Sequence, residues 1–229
     1  MTDAIRAAFN QPNLLVNLEG ERFYNEELFE NSTFAANAVN IQKERCGVMI
    51  MDGAIKRHYV KHGIDVRSMV LNRENAEGFD EDLQVAIESG NPYVYKADTL
   101  EELAEKAGVN VKAFLKTVDT YNYYCETHDA QFGRRESYLK PIVKAPFYAA
   151  KFFPGAYGTL GGIKVNHYME VITPDFQPIP GLYAAGTDTC TIYGDSYMFL
   201  LPGNTMGYAL NSGRMAGENA VEYVKSLKR

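Results

Sequence analysis

Three glycine-bearing segments near the C-terminus constrain the fold more than any other part of the chain. Gly161-Gly162-Ile163-Lys164-Val165-Asn166 comes first, then Pro178-Ile179-Pro180-Gly181-Leu182-Tyr183-Ala184-Ala185-Gly186, then Pro202-Gly203-Asn204-Thr205-Met206-Gly207. A helical stretch with Gly213-Arg214-Met215-Ala216-Gly217-Glu218 follows. Read physically, this is a buried strand ending in glycine, a polar loop, and a helix whose first turn carries little bulk. Such a unit lets backbone approach a flat or anionic ligand. Leu182 to Gly186 is apolar throughout, as a buried parallel strand is. Ligands of parallel sheets sit off the carboxyl ends of strands. Gly186-Thr187-Asp188 is that end, so the strand end and the helix N-terminus can converge on one site.

The final helix is expected from about Asn204 to Lys225, with Asn204 as its N-cap. Its first turn presents N–H groups without intrahelical acceptors at the positive end of the helix dipole. Gly207, Gly213 and Gly217 each cost about 1 kcal/mol against alanine in a helix interior. Close packing of a strand or ligand can offset that cost. Plain packing of a helix on a sheet accounts for the same residues.

Composition narrows the partners. The 229 residues can bury a substantial core in one or two domains. A net charge of -6 argues against nucleic acid or anionic lipid as the main partner. Cys46, Cys125 and Cys190 are too far apart for a metal spacing, and their odd number gives no disulfide framework. They read as reduced structural thiols. His58 and His62 lie four residues apart, but no third ligand is evident, so no metal site is expected. No Gly-x-Ser-x-Gly nucleophile motif occurs.

The N-terminal two-thirds read as mixed α and β. Leu14 to Val16 and Arg22 to Tyr24 flank turn chemistry at Asn17 to Glu21 and suggest a hairpin. Gly47 to Met51 reads as a buried strand closed by Asp52-Gly53. Helices are expected over Ala54–His62 and Asp80–Ser89. Thr99 and Glu102 form a capping box for a third. Gly108 ends that helix, and Asn110 caps a fourth with Val111, Phe114, Leu115, Val118 and Tyr121 at helical spacing. From Pro146 the chain turns strand-rich: Phe147 to Phe152, Ile163 to Val165, Glu170 to Thr173 and Leu182 to Ala185. A boundary is placed near residue 145.

Taken in order, these segments resemble the C-terminal part of the FAD-dependent fumarate reductase, succinate dehydrogenase and 3-ketosteroid dehydrogenase flavoproteins. Val16-Asn17, Gly20, Arg22-Phe23 and Asn25-Glu26 are similar to the strand entering that family's capping domain. Thr99 to Leu103, Thr117, Tyr121-Asn122 and Asp129 to Gly133 are similar to the rest of the cap. Pro146-Phe147-Tyr148 resembles the return to the flavin domain. The resemblance implies an α+β capping domain joined to part of an α/β three-layer FAD-binding domain. Residues 1–13 would end an incomplete FAD-binding domain, 14–145 would form the cap, and 146–229 the C-terminal segment. It also implies FAD as cofactor, faced by Gly158, Gly186, Thr187, Gly203, Asn204, Thr205 and Met206. The family often has Glu where this chain has Thr187.

The substrate pattern departs from the dicarboxylate reducers of the group. The position of their proton-donating Arg is Glu30 here. Their His before the Thr-x-Gly-Gly segment is replaced by Tyr157 and Gly158, and their second Arg by Leu200. Arginine clamps carboxylates at two points, so its loss argues against fumarate or succinate. The Met198 to Leu201 run suggests an apolar wall. Tyr157 and Tyr197, with Tyr193 beside them, are the candidates to supply a proton to a carbonyl or enone; pure packing is the alternative role for each.

No Gly-x-Gly-x-x-Gly occurs in the chain. The expected protein is therefore the C-terminal portion of an FAD-dependent oxidoreductase. It would move hydride between flavin N5 and a carbon–carbon double bond of a small molecule, and would need a missing N-terminal FAD-binding half for activity. Its sheet would keep an open edge, which favours association such as a homodimer. The alternative is a non-catalytic module that binds no flavin alone and acts only in packing or partner binding.

Overall fold

Six consecutive buried residues, Gly47–Asp52, form β2, the strand on which the N-terminal part of the molecule is built. The computed structural model describes residues 3–67, 73–156, 158–194, 197, 201 and 203–228, without the side chains of Glu30, Cys190 and Thr191. The chain divides into two units, Met1–Gly155 and Ala156–Arg229.

In the first unit β1 (Leu14–Val16), β2, β3 (Val94–Ala97) and β4 (Phe147–Phe152) make one sheet in the order β1-β2-β4-β3. Every pairing is antiparallel: Leu15 opposes Met49, Met49 opposes Ala150, and Tyr95 opposes Ala149. Because β4 lies between β2 and β3, it packs within this unit, which runs to Gly155. The unit is also entered by α1 (Asp3–Phe9), of which Ile5 and Phe9 are wholly buried. Phe9 meets Phe79 at 6.0 Å, and Phe79 stands edge-on to Tyr148 at 5.4 Å.

The remaining helices are α2 (Ser32–Asn40), α3 (Gly53–Lys61), α4 (Phe79–Glu88), α5 (Leu100–Ala107) and α6 (Val111–Glu126). Their ends follow local chemistry. The Thr99 hydroxyl accepts from Glu102 N–H at 3.1 Å, and the Glu102 carboxylate accepts from Asp98 N–H at 3.2 Å. Gly108 takes the left-handed conformation that closes α5, and Asn110 caps α6 through Ala113 N–H. Phe114, Val118 and Tyr121 are buried, as their spacing requires. Gly20, at φ 83°, lets the turn after β1 dock on α6; a Cβ there would lie 2.6 Å from the Phe114 nitrogen. The expected hairpin is reduced to a single bridge between Val16 and Arg22.

In the second unit β5 (Glu170–Ile172) pairs antiparallel with β6 (Pro178–Tyr183), and α7 runs from Asn204 to Ser226. This corrects two expectations. The Leu182 region is not a buried parallel strand: Thr173 N–H donates to Gln177 O at 2.9 Å, which turns the chain back on β5, and Pro178 to Leu182 are exposed. Ile163 to Val165 contributes only a bridge, Val165 to Val171, not a strand. Beyond the adjoining residues and the local backbone of α7, no described atom lies within 4 Å of a Cβ built on Gly207, Gly213 or Gly217. Close packing at these glycines is therefore not found among the described residues.

Candidate functional site

Gly203, at φ 72°, caps α7, and Asn204 is its first helical residue. Asn204 was expected as the cap, but its carboxamide is engaged elsewhere. Its Oδ1 accepts from Tyr193 OH at 2.5 Å, and its Nδ2 donates to Leu201 O at 2.6 Å. Next along the helix, Thr205 Oγ1 is 2.5 Å from Tyr197 OH and accepts from Tyr193 OH at 3.4 Å. The two tyrosine rings lie 5.0 Å apart. Tyr193, Tyr197 and Thr205 thus form a run of three hydroxyls at the first turn of α7. Met206 is exposed. Tyr157, Met198 and Leu200 lie outside the described residues.

The strand end meets the helix further along. After β6 the chain makes a 3-10 turn, Gly186–Asp188. Gly186 N–H donates to Ser212 Oγ at 2.9 Å, and Gly186 O accepts from Thr189 Oγ1 at 2.9 Å. Thr189 Oγ1 is also 2.7 Å from Tyr208 OH. A helix rises about 1.5 Å per residue, so Ser212 lies about 12 Å along the axis from Asn204. The expected convergence of strand end and helix N-terminus is therefore a docking of the strand end two turns into α7. Gly158 packs against Thr187, with a built Cβ 3.5 Å from the Thr187 side chain. Ser212 carried no signal beyond a small polar residue inside a helical run.

The first unit holds a constellation that sequence reading placed only as family-like segments. Arg22 clamps Glu26 through Nε–Oε1 at 2.9 Å and Nη2–Oε2 at 2.7 Å. The same guanidinium clamps Asp129 through Nη1–Oδ1 at 3.0 Å and Nη2–Oδ2 at 2.9 Å. Arg134 Nη1 lies 3.5 Å from Glu26, and its Nη2 donates to the carbonyls of Pro12 and Tyr138. All four side chains are buried. Burial alone would lower the Arg22 pKa; its hydrogen bonds to Glu26 and Asp129 outweigh that and hold the guanidinium charged. Burial likewise opposes ionisation of Asp129, and Arg22 more than compensates, so its carboxyl sits below the usual range. Spacing could have suggested Arg22–Glu26; nothing in the sequence pairs Arg22 with Asp129.

The His58 and His62 rings lie 5.5 Å apart, His58 Nε2 is 3.6 Å from Asp65, and no set of three metal-binding side chains occurs among the described residues. Cys46 and Cys125 are free thiols, both pushed up in pKa by burial.

Mixed α and β structure with antiparallel sheets, and a glycine-capped helix reached by a strand-end turn, is consistent with part of an FAD-binding fold. Comparison with known proteins gives the family. Residues 5–205 match the model of the FAD binding domain family. The chain is 35% identical over 220 residues to a vinyl phenol reductase of Lactiplantibacillus plantarum, covering 95% of this chain and 44% of that protein. It is 32% identical over 210 residues to an NADH:fumarate oxidoreductase of Klebsiella pneumoniae, covering 91% and 20%. The open conformation of a flavocytochrome c3 fumarate reductase superposes with a TM-score of 0.64 at 27% identity, covering 97% of this chain and 34% of that one. The chain belongs to the FAD-dependent fumarate reductase and 3-ketosteroid dehydrogenase flavoprotein family, whose cofactor is FAD. It spans less than half the length of these curated relatives.

The second unit suits one end of such a cofactor. Gly203 is left-handed with no described atom within 4 Å of a built Cβ, and it opens onto the first turn of a 23-residue helix. A helix start of this kind favours an anionic edge.

Proposed function

We propose that this chain supplies the cap and the C-terminal flavin-facing segment of an FAD-dependent oxidoreductase acting on a carbon–carbon double bond. In this reading residues 14–145 are the cap, and 146–229 complete a three-layer FAD-binding domain with a further segment that carries the diphosphate-binding glycine loop. The observation that carries it is the family match, which runs through both units to Thr205 in the first turn of α7. Bound FAD supplies hydride exchange at N5.

The chain's own residues then have distinct tasks. Gly203 brings backbone close, and Asn204, Thr205 and Met206 face the pyrimidine edge, where the helix dipole favours negative charge. Gly158, Gly186 and Thr187 approach the ribityl side. Tyr157 and Tyr197 hold the proton for the substrate carbon or carbonyl. Support for Tyr197 comes from its bond to Thr205, which fixes the hydroxyl and links it to Tyr193. The substrate is a small molecule less acidic than fumarate, because Glu30, Tyr157 and Leu200 stand where the resemblance places an Arg, a His and a second Arg in the dicarboxylate reducers.

The test is to express the chain together with a segment carrying the glycine loop and to measure bound flavin. The expected result is a yellow protein that reduces an enone or vinyl substrate faster than fumarate. In the same protein Tyr197→Phe should keep its flavin and lose turnover on the order of 100-fold, the usual scale for a general acid. A natively purified protein without flavin sinks the reading. Fumarate as the preferred substrate sinks its substrate part.

A further inference from the structure

The segment between α6 and β4, residues 127–146, crosses the first unit with only a short 3-10 turn at Glu136–Tyr138. Its ties to the turn Glu26–Glu30 and the residues before it run through side chains. Asp129 clamps Arg22, Arg134 reaches Glu26, Asn25 Nδ2 donates to Phe132 O at 3.1 Å, and Arg135 N–H donates to Glu27 at 3.0 Å. Among the described residues no backbone–backbone hydrogen bond joins the two segments. Glu26 also accepts from Leu15 N–H in β1 at 3.2 Å. Two cations and two anions are enclosed here, and the sum is neutral only while both carboxylates are ionised.

We propose that Asp129 is a positioning residue that, through Arg22 and Glu26, holds the Glu26–Glu30 turn in place, and that acid releases this turn and residues 129–135 of the strap together while the sheet stays folded. The inference rests on the first unit alone and is independent of the flavin reading. Asp129 faces Arg22 and, from α6, Cys125. Glu26 faces Arg22, Arg134, Tyr24 and, from α6, Tyr121. Arg22 also lies over the Tyr121 and Phe132 rings, at 5.4 and 5.0 Å. None of these neighbours can supply a negative charge at low pH. Protonating Asp129 therefore leaves the Arg22 guanidinium enclosed with half its partners, and opening to water is the cheapest relief. The sign follows from the depressed pKa of Asp129: the hold is complete above the ordinary carboxylate value and lost as pH falls through the lower folded one.

Hydrogen exchange with peptide resolution, corrected for intrinsic rates, tests this on the whole chain. Asp129→Asn at neutral pH should speed exchange of peptides covering residues 22–31 on the order of 100-fold, the scale for breaking a buried pair. Peptides from β2 and β4 should change by no more than a few-fold. Asp129→Glu should recover part of the protection, since charge rather than shape is at stake. In the unchanged protein the same two segments should lose protection together as pH falls below about 4. Unchanged exchange at 22–31 in Asp129→Asn overturns the proposal. So does loss of protection by β2 and β4 in parallel, in the variant or in acid.

Discussion

Asp52 is the acceptor that joins the start of α3 to the strap, and removing half of its acceptor set should separate two effects. Its Oδ1 accepts from Ala54 and Ile55 N–H, both at 2.8 Å, and caps the helix. Its Oδ2 accepts from Val143 and Lys144 N–H at 3.0 and 2.7 Å, residues 91 and 92 positions away. The side chain is wholly buried, so water cannot replace these bonds. Asp52→Asn keeps the cap but turns an NH2 group toward two donors. Two lost charge-assisted bonds, at the low end of about 1.5 kcal/mol each, predict about 3 kcal/mol of destabilisation. Asp52→Ala also removes the cap, worth up to about 2 kcal/mol, for about 5 kcal/mol in total. Urea unfolding followed by circular dichroism reads this directly. With a slope near 2 kcal/mol per molar, Asp52→Asn should lower the midpoint by about 1.5 M. Equal midpoints for Asp52→Asn and the native protein would falsify the assignment of Oδ2 to the strap. Equal losses for Asn and Ala would show that the capping bonds contribute nothing separate.

Two further outcomes follow from the same geometry. Gly20→Ala should cost about 3 kcal/mol, because a Cβ would meet backbone at 2.6 and 2.8 Å as well as the left-handed φ penalty of about 1–2 kcal/mol. Gly78→Ala, at φ 85° with nothing within 4 Å, should show that penalty alone; equal losses in thermal unfolding would refute the contact argument. Alkaline titration by phenolate absorbance should resolve a late class of tyrosines. Burial, with the Asp80 charge behind it, pushes Tyr148 up to about 12, and burial also raises Tyr24, Tyr59 and Tyr121. A raised folded pKa contributes stability that is full below about pH 10 and is lost as pH climbs toward the folded value. The late class should therefore ionise together with unfolding, and a single smooth transition for all tyrosines would contradict it.

What was legible in the sequence divides by the range of the interaction. Helix ends at Thr99, Gly108 and Asn110 depend on neighbours a few positions away, and local chemistry found them. β4 was legible as an apolar run, but its central place in the sheet depends on β2 and β3, so its neighbours were not. Val94–Ala97 escaped notice because only Val94 and Ala97 are buried, too short a pattern for a strand signal. The apolar Leu182 region invited a buried parallel strand, yet the Thr173 to Gln177 turn governs its direction. At the site, the glycine before α7 and the engaged Asn204 show the same limit. Sequence identified the helix start, while the cap was decided by which partner claimed the carboxamide. Asp52-Gly53 read as a turn; an Asp ahead of a helical run is also an N-cap signal, and that reading would have reached its role.

The sheet order β1-β2-β4-β3 has a consequence for how the protein is made. β2 emerges from the ribosome well before β4, with Val48, Met49, Ile50 and Met51 in an unbroken apolar run, and its second edge is satisfied only by β4. All of α3 to α6 must be synthesised before that edge is closed. Through this interval β2 is an open, sticky template, and pairing so distant in sequence is slow. A nascent chain arrested before Phe147 should therefore depend on a chaperone, whereas one arrested after Gly155 should not.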